Sequence, residues 1–190
     1  MRDLCCKHII MERILVFLFI LIISFSCTQL TPKEKMIKGT IGKTVQIGMF
    51  ESVRQGDSEI PFGEFRNRYP FLSLVYLEDG CAPCYPRFIE WQTRMDTLDL
   101  HEDFTVLFII LARSYERFMD NLYEYEPEYG YNDRFHIVVD PDYRFLDNNP
   151  DIERWVIDKS LLIDPTNKIK LIGPPFASRR MAELFYAICN

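Results

Sequence analysis

Residues 71–91 read FLSLVYLEDGCAPCYPRFIEW, and the fold turns on how this stretch is parsed. Phe71 to Leu77 is a nearly unbroken apolar run, bounded by Pro70 and by Glu78, Asp79 and Gly80. That is the signature of a strand buried on both faces. After the two cysteines, Phe88, Trp91, Met95 and Leu98 recur at helical spacing, while Glu90, Arg94 and Asp96 fall elsewhere, so an amphipathic helix is predicted. Cys81-Ala82-Pro83-Cys84 therefore sits where a strand ends and a helix begins. A zinc half-site, an inert disulfide and an electron-exchanging thiol pair are the three readings of such a pair.

Working outward, Phe104 to Leu111 reads as a second buried strand, and Ser114 as the cap of a helix carrying Phe118, Met119 and Leu122. Tyr123 to Arg134 (YEYEPEYGYNDR) is acidic and rich in tyrosine, which predicts a surface loop. Phe135 to Val139 is a third strand, followed by a short helix near Tyr143, Phe145 and Leu146. Ser160 to Ile163 and Ile169 to Ile172 flank DPTNK as a β-hairpin, and Ser178 caps a last helix with Met181, Leu184, Phe185 and Ile188 inward. Before all of these, KTVQIGMF (43–50) reads as a short strand and VRQGDSEIPF (53–62) as the completion of a hairpin. Alternating βαβ units closed by a hairpin predict an α/β fold, a central mixed β-sheet flanked by helices, with an N-terminal β-hairpin extension.

The first 26 residues differ in kind. Ile14 to Phe25 is an uncharged apolar run after Glu12 and Arg13, shorter than the roughly 20 residues that a helix needs to cross a bilayer. It reads as the core of a secretory signal, with Ser26 ahead of Cys27. The arrangement resembles a bacterial lipoprotein leader, which implies lipid on Cys27. Met11 is a second candidate start, which would leave Cys5 and Cys6 without a role. The expected organisation is a signal at 1–26, a polar flexible tether at 27–42 and a folded domain at 43–190.

Removing residues 1–26 takes away three basic and two acidic side chains and moves the formal net charge from −6 to −7. A surface of that sign, without a basic stripe, argues against nucleic acid as a partner. Six cysteines reduce to Cys81, Cys84 and Cys189 once the leader pair and Cys27 are set aside, which is no disulfide framework. Structural zinc calls for four ligands, and no second CxxC or HxxxH exists, with His101 and His136 isolated. No metal or other cofactor is expected. Cys189 and Trp91 read as core, and His136 as a satisfied core histidine.

The strand FLSLVYL, the Cys81–Cys84 motif opening a helix, the FHIVVD strand and the LLIDPTNKIKLIG hairpin before a last helix resemble the thioredoxin-like superfamily. Within it, the exported, membrane-tethered TlpA-type thiol-disulfide oxidoreductases are the branch they resemble most, over roughly residues 43–190. The resemblance implies Cys81 as nucleophile, Cys84 as resolving thiol, Ala82 and Pro83 as motif residues, and protein thiols or disulfides plus an electron donor or acceptor as partners. A thiolate at a helix N-terminus is stabilised by free N–H groups and the helix dipole.

The chain departs from that pattern at Gly80, where many relatives carry Trp, and at Val75, where a buried acid is common. It departs again near Asp158, where relatives carry a cis-proline and a trans loop is expected here. Pro86, two residues into the helix, predicts an irregular start or a kink. Glu78 and Asp79 oppose a thiolate and Arg87 favours one. The missing proline sustains an alternative, a non-catalytic thioredoxin-fold module carrying a soft metal such as Cu(I) on its two thiolates.

Overall fold

The computed structural model describes residues 30–95, 97–98, 102–128 and 135–189. The leader, Cys27, His101 and the distal part of the tyrosine-rich segment lie outside these residues. Among those described, no helix is long and apolar enough to cross a membrane.

Helix α1, Pro32–Thr40, lies within the stretch 27–42 expected as a tether. Its start is a capping box: the Thr31 N–H donates to Glu34 Oε2 at 2.7 Å and the Glu34 N–H donates to Thr31 Oγ1 at 3.3 Å, with Pro32 opening the first turn.

From Ile37 on the chain forms one compact unit. Its first strands are β1, Ser52–Gln55, and β2, Ser58–Pro61, a tight hairpin around Gly56 and Asp57. The predicted strand at 43–50 is not one: Thr44 makes a single bridge to Lys168, and Val45 and Ile47 are buried in an extended segment without a ladder. Helix α2, Phe62–Arg68, follows, then β3, Phe71–Glu78. Next come α3, Cys84–Met95, β4, Phe104–Leu111, and α4, Tyr115–Tyr125. Tyr123 to Tyr125, expected as loop, are the last turn of α4.

Strand β5, His136–Val139, leads into the short helices α5, Arg144–Asp147, and α6, Arg154–Ile157. Strands β6, Leu161–Ile163, and β7, Ile169–Ile172, and helix α7, Arg179–Cys189, complete the order. Ser114 and Ser178 cap α4 and α7 as their sequences predict. In the hairpin turn, Asp164 Oδ1 accepts from the N–H groups of Thr166 and Lys168, which is why an aspartate begins it.

The seven strands lie in the order β2-β1-β5-β4-β3-β6-β7, a mixed sheet with β3, β4 and β5 parallel and the remaining neighbours antiparallel. Side chains alternate across a strand, so β3 feeds two cores. Val75 and Leu77 pack with Phe88 and Trp91 of α3, Phe118 of α4 and Phe185 of α7. Leu72, Leu74 and Tyr76 face Phe65 of α2, Phe145 of α5 and Val156 of α6. His136 is buried as expected, its Nδ1 3.1 Å from Thr105 Oγ1 and its ring against Phe65 and Tyr69, but it is not fully satisfied, because its buried Nε2 has no hydrogen-bond partner among the described residues. The alternation of β3 continues past its end and divides the site.

Candidate active site

The turn after β3 is built from backbone first. The Asp79 N–H still pairs with the Leu111 carbonyl at 2.9 Å, so the sheet holds the chain up to this residue. Gly80 then takes φ +77, a left-handed conformation that favours glycine. The Cys81 N–H reaches the Glu78 carbonyl, the Cys84 N–H reaches the Cys81 carbonyl at 2.8 Å, and α3 begins. Pro86 falls in the first helical turn, where an N–H would have no helical partner, and α3 runs to Met95 without a break. The predicted irregularity is absent for that reason.

Cys81 and Cys84 form a disulfide, their Cα atoms 5.3 Å apart. Cys81 is half-buried, Ala82 and Pro83 are exposed at the tip of the turn, and Cys84 is buried. The Glu78 N–H donates to Cys84 Sγ at 3.4 Å, so the inner sulfur has a fixed polar neighbour and the outer one meets solvent. No acidic residue occupies the first turn of α3. Val75 is fully buried among apolar neighbours, and no carboxyl stands in its place.

Glu78 and Asp79 leave the strand toward opposite faces, and their surroundings differ. Asp79 Oδ1 accepts from Tyr85 Oη at 2.7 Å and from Asn121 Nδ2 at 2.8 Å, and Oδ2 from Arg117 Nε at 3.3 Å. Tyr85 Oη in turn accepts from the Gly80 N–H at 2.8 Å. Burial pushes the Asp79 carboxyl up, but the bonds from Asn121, Tyr85 and Arg117 outweigh it and hold it below the usual carboxylate range. Burial, and then the bond to Asp79, push the Tyr85 phenol up.

On the other face, Glu78 Oε1 pairs with Arg154 Nη2 at 2.5 Å, and Arg154 Nε pairs with Asp158 Oδ1 at 2.8 Å. The Arg154 guanidinium lies 4.6 Å over the Tyr76 ring. These groups, with Arg87 and both cysteines, line a groove of about 300 Å³ beside the disulfide. Every described peptide bond is trans, including those of the turn around Asp158 that faces the pair.

The structure thus brings Cys81, Ala82, Pro83 and Cys84 together, while Cys27 lies outside the described residues. It adds Tyr85, Arg117, Asn121 and Arg154, which sequence reasoning did not single out, and it pairs Asp158, marked in the sequence only as the place of a missing cis-proline, with Arg154. Only the four-residue spacing of Arg154 and Asp158 on one helical turn could have been read in advance. Cys189 is buried in the core, its thiol pushed up to about 12 by burial, and takes no part in the site. Among the described residues no group of three or more His, Cys, Asp and Glu side chains is placed to hold a metal ion.

No protein-family model matches the chain, and no curated protein matches it in sequence. Solved structures do. A thiol:disulfide interchange protein of DsbE type from Chlorobium tepidum matches with a TM-score of 0.53 and 16% identity, over 79% of this chain and 98% of its own. A thiol-disulfide oxidoreductase from Bacteroides fragilis matches at 0.51 and 16%, over 75% and 99%. The thioredoxin domain of a thiol-disulfide oxidoreductase from Bacteroides vulgatus matches at 0.50 and 13%, over 79% and 98%. The fold is thioredoxin-like.

Proposed function

We propose that the protein is a thiol-disulfide oxidoreductase that exchanges electrons with protein thiols or disulfides through Cys81 and Cys84. One observation carries this reading: the pair is bonded across the first turn of α3 with the outer sulfur half-buried and the inner one buried. In the reducing direction, the Cys81 thiolate attacks a substrate disulfide, forming one mixed disulfide and expelling one substrate thiolate. Cys84 then attacks Cys81 Sγ, closing the intramolecular bond and expelling the second. The substrate gains two electrons and the pair loses two. The reverse sequence oxidises a substrate dithiol. α3 supports the attacking thiolate through its free N–H groups and dipole.

The leader pattern, which resembles that of bacterial lipoproteins, supports a place in the cell envelope, with lipid on Cys27 as the tether. Mass spectrometry of the mature protein tests this: an N-terminus other than an acylated Cys27 rejects the anchor.

Exchange is tested with Cys84→Ser in the full chain. Mixed disulfides through Cys81 should accumulate, and Cys81→Ser should abolish both trapping and turnover. A soft-metal carrier would lose its ion in Cys84→Ser and trap nothing. If wild type neither reduces protein disulfides nor oxidises dithiols, and Cys81→Ser matches it, the exchange reading fails. The reduction potential of the pair then gives the direction of electron flow.

A further inference from the structure

We infer that the groove beside the disulfide is a seat for a carboxylate on the substrate, held by Arg87, and that the protein prefers disulfide partners carrying an acidic group next to the reacting sulfur. The inference rests on the exchange reading above and names the substrate class for the same site.

Four charged side chains line the groove: Glu78, Arg87, Arg154 and Asp158. Three of them are committed to each other, because Arg154 donates to both acids. Arg87 is not. It extends from the first turn of α3 into the groove, and among the described residues no hydrogen bond or ion pair holds its guanidinium; Asp158 and Glu90 act on it only through their charge. Burial opposes its charge. A guanidinium has five N–H donors in a planar fork, and that of Arg87, half-buried on the groove wall, has no protein acceptor among the described residues and so offers its donors to whatever enters the groove.

A carboxylate supplies two acceptor oxygens in matching geometry and opposite charge. Its approach to Arg87 places the rest of the substrate along the wall that carries Cys81 and Cys84. Asp79, the other acid near the turn, is bound to three donors on the opposite face and does not compete.

The test uses the reduced full chain and three small disulfides: glutathione disulfide, which is anionic, hydroxyethyl disulfide, which is neutral, and cystamine, which is cationic. In each case the pair is oxidised and one disulfide becomes two thiols. Arg87→Met should slow glutathione disulfide about tenfold relative to hydroxyethyl disulfide, the order of one charge-assisted hydrogen-bond pair, with Arg87→Lys between. The rate ratio removes any change in the nucleophile itself. If Arg87→Met slows all three disulfides alike, Arg87 acts on the thiolate and the seat is rejected.

A second measurement separates the seat from the exchange reading. S-methylglutathione carries the carboxylates but no exchangeable sulfur, and it should bind the oxidised full chain and lose that binding in Arg87→Met. Binding without exchange would reject the oxidoreductase and keep the seat. Exchange without binding or charge preference would do the reverse.

Discussion

Glu78 and Asp79 are neighbours of the same charge, yet they occupy two kinds of environment. Asp79 enters a closed set of bonds with Tyr85, Asn121 and Arg117, and its side chain is 11% exposed. Glu78 shares Arg154 with Asp158, and all three side chains are more than a third exposed. The alternation of a strand is enough to produce this division. One flank fixes the turn that presents Cys81; the other leaves a groove whose charges can be rearranged by whatever enters it. A site that must be rigid at its sulfurs and receptive to partners gains from having both.

The widest separation between the flanks should be in stability. Asp79→Ala leaves the Tyr85 hydroxyl and the Asn121 amide without their acceptor and should cost about 2–3 kcal/mol in urea unfolding. Glu78→Ala removes one partner of an exposed pair and should cost less than about 1 kcal/mol. Equal losses would refute the division.

Acid should act on the two flanks against the titration of His136. His136 ordinarily titrates at 6.5, and burial, with the charge of Arg68, lowers it to about 4. The unfolded chain therefore takes up the proton first. The stability is intact above pH 6.5, and about 2–3 kcal/mol of it should be lost as the pH falls from 6.5 toward 4. The Asp79 carboxyl lies below its ordinary 3.8, so its contribution is present above that value and lost as the pH falls further. Asp79→Asn should flatten only this second, lower leg. A change in the His136 leg would mean that the two networks are not independent.

Much of this division was out of reach of the sequence, for physical reasons. Strands β4 and β7 fall on the residues their apolar runs predict, and the two serine caps hold, because those signals are local. The Cys81–Cys84 junction is legible on the same ground. The capping box of α1 was also local, in Thr31, Pro32 and Glu34, but the polar composition of 27–42 suggested a tether. Val45 and Ile47 alternate inward like strand residues and are buried without a ladder, since alternation reports burial and not pairing. Asp79 meets Asn121 across 42 residues and Glu78 meets Arg154 across 76, contacts that only the packed sheet creates.

On the open flank, Arg154→Met should change chemistry more than stability. The pairs it breaks are partly exposed and should cost under about 1 kcal/mol. Asp158 is then free to turn to Arg87, so the preference for glutathione disulfide over hydroxyethyl disulfide should fall although Arg87 is untouched. A retained preference would show that Arg154 does not keep the seat clear.

The smallest effect tests what shapes the rim of that flank. Ser160 follows Asp158 and Lys159, is buried at φ +83, and its hydroxyl has no hydrogen-bond partner among the described residues. A left-handed serine is strained, and an unsatisfied buried hydroxyl adds to the cost. Ser160→Gly relieves both, against a larger entropy in the unfolded chain, and should raise stability by about 0.5–1 kcal/mol in thermal unfolding. If the bonds to Arg154 hold the rim, substrate preference stays unchanged in this variant. A more stable protein that had lost its charge preference would instead mean that the strained residue itself holds Asp158 against the groove.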